Sequence, residues 1–145
     1  MISVIVGSVI MFLITLFILF ATIRSVDVLK DWSLNTNKPS YVEGETIEVN
    51  SRVNKLIDVK GESRRFIYCT YDNRETGYEV SVKGVNSSVG KNSSIIITAA
   101  PMGVRPLPQS CYLLVQIRYS LPMSYGFRVH TEENRSNTFN ITSKE

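Results

Sequence analysis

Charge is absent from the first 23 residues of this 145-residue chain, and acidic residues are absent from Val80 through Thr131. Histidine and tryptophan each occur once, and cysteine twice. No Gly-x-Ser-x-Gly elbow, glycine-rich phosphate loop or metal-ligand cluster accompanies the single histidine, so the usual carriers of nucleophilic, acid–base and metal-assisted catalysis are missing. His130 alternates outward beside Arg128 in a strand-like pattern. The adjacent carboxylates Glu132 and Glu133 are too few for a calcium site. An enzyme is therefore not expected, nor a cofactor or a bound metal. Two cysteines are too few for a disulfide-stapled miniprotein and wrongly spaced for zinc. A net charge of only +3, with no aromatic platform, argues against dedicated nucleic-acid binding.

What fills the uncharged stretch is apolar. Residues 2–23 as a helix at about 1.5 Å per residue reach the roughly 30 Å of a hydrocarbon core. A cleaved secretory signal is the rival reading. It needs a charged start, a shorter apolar run and a small-x-small cleavage pattern, and here Ala21 is followed by Thr22 and Ile23. The expectation is an uncleaved single-pass anchor with residues 2–23 in lipid, and a short stalk, helical through Asp31, completing a segment of residues 1–31. Arg24 and Lys30 taken alone would leave the following domain in the cytoplasm.

All 16 basic and 13 acidic residues lie beyond that run, and there the periodicity changes to alternation. Ile47, Val49 and Val53 share one face of a strand pattern, with Glu48, Asn50 and Arg52 on the other. Tyr78 to Lys83 repeats it. Further strands are expected at Trp32 to Asn35, Arg65 to Tyr71, Ser94 to Ala99, Tyr112 to Tyr119, Gly126 to His130 and Thr138 to Thr142. Turn signals bound them at Glu43-Gly44, Lys60-Gly61, Asp72-Asn73, Ser87 to Gly90, Pro101 to Pro108 and Glu132 to Asn137. About seven short strands imply an all-β antiparallel sandwich over residues 32–145.

The stretch Asn37-Lys38-Pro39-Ser40-Tyr41-Val42-Glu43-Gly44-Glu45-Thr46-Ile47-Glu48-Val49 resembles the first corner of bacterial and phage-type immunoglobulin-like domains, where a Tyr and a Gly-Glu turn lead into an alternating strand. The resemblance implies an immunoglobulin-like sandwich and no particular activity. In such a sandwich Cys69, late in one strand, and Cys111, opening another, would face each other across antiparallel neighbours. A disulfide is the expectation, two buried thiols the alternative. A bridge would place the domain outside the reducing cytoplasm, on the extracytoplasmic side, against the flanking charges.

Lys83, Lys91, Arg105, Arg118 and Arg128 fall in the stretch without acids and are candidates for a basic interaction face, a solvated sheet surface being the alternative. Arg64-Arg65 reads as a pair of charges at the start of a strand. Glycosylation-type sequons stand at Asn86, Asn92, Asn134 and Asn140 and carry no assigned role. The functional expectation is a membrane-anchored extracytoplasmic binding or structural module, of bacterial-envelope or phage origin, that contacts a protein partner. The alternative is a subunit of a filament or virion whose apolar helix packs on copies of itself as a homo-oligomer. Type IV pilins resemble that plan, but the chain lacks their Glu near the start of the apolar run and their basic leader ending in Gly.

Overall fold

The structure is a computed structural model. It describes residues 2–23, 28–120 and 129–144, with side chains of the first segment described for residues 5–19. Arg24, Val26, Phe127 and Arg128 lie outside the described residues.

Two β-sheets face each other. The smaller has the order β1 (Leu29–Thr36), β3 (Thr46–Lys55), β6 (Gly90–Ala99). The larger runs β2 (Ser40–Val42), β9 (Phe139–Thr142), β7 (Gln109–Ser120), β4 (Val59–Tyr71), β5 (Arg74–Ser87), with β8 (Val129–Arg135) also paired to β7. The fold is an all-β, sandwich-like assembly. Ladders are antiparallel except β2 on β9, where Tyr41 stands opposite Ile141.

Alternation places the core. Ile47 and Val49 from β3 meet Ile67 from β4 and Leu113 from β7, all fully buried. Tyr41 packs edge-on against Phe139, with ring centroids 5.4 Å apart. Its hydroxyl donates to Asn37 Oδ1, so the tyrosine of the first corner fills the core and closes its own loop. Gly44 adopts φ 77° at the turn, a conformation that side chains resist. Asp72 and Asn73, at φ 47° and 59°, form the two-residue connection of the β4–β5 hairpin, where a left-handed pair matches strand twist.

Several expectations are corrected. Leu29 to Asp31 belong to a strand, and Val28 and Leu29 are buried in the core, so no helix continues through them. Lys60-Gly61 is the interior of β4. Of the strand expected at Gly126 to His130, residues 126–128 lie outside the described residues, while Val129 and His130 open β8, which runs on to Arg135, so residues taken for a turn are paired to β7. His130 does not alternate outward into solvent. It is half-buried against the Tyr119 ring, with centroids 5.4 Å apart.

The anchor is the largest correction. Helix α1 covers Ile2–Ile23, but among the described residues no helix is long and apolar enough to cross a membrane. Single-pass anchoring, and the membrane localisation built on it, is therefore not supported.

Candidate functional site

The two sheets differ in width. At about 4.8 Å between strands, the three strands of the smaller sheet span about 10 Å, while the run β8-β7-β4-β5 at the level of Ile117 spans about 14 Å. The larger sheet therefore has more inner face than the smaller one can cover. Strand parity decides what lies there.

Residues directly opposite one another in a ladder share a face. On β3 the inward row that begins with Ile47 and Val49 continues through Ser51 and Val53 to Lys55. On β4 the row of Cys69 and Ile67 continues to Arg65 and Ser63. Ser63 stands opposite Lys83 of β5, and Arg65 opposite Ser81. Ser51 stands opposite Ser94 of β6. Each inner face therefore changes from aliphatic to polar and cationic along its length.

The result is a cleft of about 330 Å³ between the sheets, lined by Lys55, Arg65 and Lys83 with the hydroxyls of Ser51, Ser63, Ser87, Ser93 and Ser94 and the apolar floor of Val115 and Ile117. Among the described residues no carboxylate lines it. Lys55 is only 7% exposed, and its ammonium donates across the cleft to Ser87 Oγ. Arg65 Nε is buried and has no hydrogen-bond partner. Among the described residues neither cation has an ion pair. Burial pushes both side chains below their ordinary pKa values, because a charge removed from water favours its neutral form. Arginine nonetheless stays protonated at any physiological pH. The β4–β5 ladder shifts register beside Arg65, the extra residue being Val80 of β5.

The basic residues singled out from the sequence are not gathered on one face. Lys83 is on the inner face of β5 and belongs to the cleft. Lys91 is exposed on the opposite, outer face of the smaller sheet, across from Asn54. Arg105 lies in the β6–β7 connection and is paired with Glu43 at 2.6 Å, which lowers that glutamate's pKa. Arg118 is exposed on β7 with Glu62 directly opposite on β4. Arg128 lies outside the described residues. Lys55, which is buried, and Arg65, which is half-buried, were not among the candidates. Their signal was parity: each is in phase with the apolar row of its own strand.

Cys69 and Cys111 form a disulfide between cross-strand neighbours of β4 and β7, with Cα atoms 4.0 Å apart. Both are buried. Of the sequons, Asn86 and Asn140 are exposed. Asn92 is half-buried, donating to Gly90 O at 2.9 Å, and Asn134 donates to the carbonyl of Trp32.

A second feature is the free edge of β6. Ile95 and Ile97 project from its outer face, 61% and 63% exposed, and Asn92 to Ala99 contains no charged residue. Among the described residues β6 pairs only with β3.

No family model matches the chain. No curated protein matches it either. Among solved structures it is similar to the sporulation control protein Spo0M from Bacillus subtilis, at 11% identity and a TM-score of 0.49. That match covers 83% of this chain and 51% of the other, so the chain spans about half the length of the structure it matches.

Proposed function

We propose that the chain is a binding or structural module of immunoglobulin-like build that works through protein–protein contact, taking up an extended segment of a partner along the free edge of β6. The immunoglobulin-like reading is supported by the strand order, with early strands divided between the two sheets. The reading assigns no catalytic step.

The observation that carries the contact reading is the contrast among sheet edges. Proteins blunt exposed edges with charge, brevity or irregularity, since an unpaired row of N–H and C=O groups invites another strand. Strand β5 carries Arg74, Glu75, Glu79 and Lys83. Strand β1 has Lys30, Asp31 and a register shift, and β2 is three residues long. From Asn92 to Ala99, β6 has none of these devices. An added strand would gain main-chain hydrogen bonds and cover Ile95 and Ile97, the usual mode of edge recognition.

Selection of displayed random peptides on the full chain tests this reading. Peptides of alternating apolar pattern should emerge and lose binding to Ile97→Lys while retaining it to Val82→Lys on β5. Failure to select any peptide, or equal binding to both variants, would overturn it.

A second reading is favoured by the helix. The described side chains Ile5 to Leu19 include Phe12 at 66% and Phe17 at 76% exposure, a larger apolar surface than monomers usually leave open. Packing of α1 on copies of itself would cover it and give a structural subunit of a filament or virion. Sedimentation of the full chain should then show a regular large assembly that Phe12→Glu disperses. A monomer for both chains would exclude it.

A further inference from the structure

The inter-sheet cleft has the chemistry of a ligand site. Lys55, Arg65 and Lys83 come from three different strands and two sheets, yet they converge on one cavity. Arg65 and Lys83 are diagonal neighbours on the same face, since Lys83 stands opposite Ser63, a relation that places such residues about 7–8 Å apart. Lys55 reaches the same region from the facing sheet through Ser87.

Buried cations are ordinarily paired, because removing a charge from water is costly unless another charge or several hydrogen bonds replace the hydration. Among the described residues this cleft supplies neither to the buried Nε of half-buried Arg65, which has no acceptor, and no Asp or Glu lines the walls. What the walls do offer is donors. Three cationic side chains and a set of serine hydroxyls match the several acceptor oxygens and double charge of a phosphoryl group, and an arginine fork adds directional recognition of such a group. The volume, about 330 Å³, lies within the range of small-molecule sites, about 300–1,000 Å³. Val115 and Ile117 at the floor provide apolar contact beside the charge.

We propose that the cleft between the two sheets is a binding site for a small phosphorylated molecule, its phosphoryl group held by Lys55, Arg65 and Lys83 and by the neighbouring serine hydroxyls. The site is independent of the β6 edge, whose apolar residues lie on the outer face of the same sheet.

Titration calorimetry and thermal unfolding of the full chain test the assignment, with glycerol phosphate, inorganic phosphate, acetate and chloride compared at matched ionic strength. Glycerol phosphate should bind and raise the unfolding temperature. Arg65→Gln and Lys83→Gln should each weaken binding by about tenfold or more, as expected for loss of a charge-assisted hydrogen bond, while Lys91→Gln on the outer face leaves it unchanged. Lys83 is exposed, so its replacement keeps the fold and the comparison stays valid if Arg65→Gln does not fold. Tighter binding of the ester identifies a phosphorylated organic ligand; equal affinity for inorganic phosphate assigns the site to the free ion, and either supports phosphoryl recognition. Binding no stronger than that of acetate, or an affinity unaltered in Lys83→Gln, would overturn it.

Discussion

The backbone N–H of Leu29 is held by the carboxylate of Glu132, 3.3 Å from Oε1 and 3.2 Å from Oε2. The same carboxylate accepts the N–H of Val28 at 2.8 Å and the hydroxyl of Tyr119. One side chain on β8 thereby fastens the first strand of the smaller sheet to the larger one. Replacing it with Ala strands donors at a half-buried seam, where each unsatisfied group costs about 1–3 kcal/mol. Glu132→Ala should lower unfolding free energy by at least about 2 kcal/mol in urea, followed by the fluorescence of Trp32 nearby. A loss below about 0.5 kcal/mol would show that water replaces the carboxylate.

The Cys69–Cys111 bridge closes a loop with a sequence separation of 42. In the chain-entropy picture such a constraint contributes about 4 kcal/mol by restricting the unfolded chain. The double variant Cys69→Ala/Cys111→Ala should therefore unfold at much lower denaturant. Reductant should shift the midpoint of the parent chain and leave that of the variant where it is.

Lys55 gives a stability effect with a defined sign. Its folded pKa lies below the ordinary 10.5 because burial disfavours the ammonium. Between that depressed value and 10.5 the unfolded chain binds a proton the folded chain has released, so this group's contribution to stability rises with pH through the window. Below the window the cost of the buried charge is fully present. In phosphate-free buffer, Lys55→Met should gain stability relative to the parent at about pH 7, and the gap should narrow toward about pH 10. A gap that does not change with pH would point to packing, not charge.

Gly61 sits inside β4 opposite Tyr119. A Cβ there would lie 2.8 Å from the Tyr119 Cα and would overlap the Arg118 carbonyl oxygen. Gly61→Ala must push the strands apart, and a loss of about 3 kcal/mol is expected, at the upper end of overpacking costs. Gly84→Ala, on β5 with open space around it, should change stability by less than about 1 kcal/mol.

Alternation made the strand around Ile47 and Val49 readable from the sequence, since it follows from the two-residue period of a half-buried strand, whereas the facing of Cys69 and Cys111 was legible only through the resemblance to an immunoglobulin-like sandwich. Gly61 shows where that reading stops: a glycine beside a lysine looks like a turn, whereas its actual constraint is the close approach of another strand. Glu132 to Arg135 is polar enough to read as a loop, yet β7 pairs with it and Glu132 satisfies donors from a distant strand. The cleft was half visible, because the parity of Lys55 and Arg65 is written in their strands. Its opening was not, since it depends on how far one sheet outreaches the other. The uncharged run at the start read as a membrane span, a reading its described helix does not support.

The parallel pairing of β2 with β9 has a consequence for the order of events during folding. Ser40 cannot find its partner until Asn140 has been made, and the β4–β5 hairpin, closed by Asp72 and Asn73, can form long before that. Contacts between residues so distant in sequence are slow to assemble. A nascent chain would hold Tyr41 without the Phe139 ring that later packs on it, leaving the first corner unlatched until synthesis reaches the last strand.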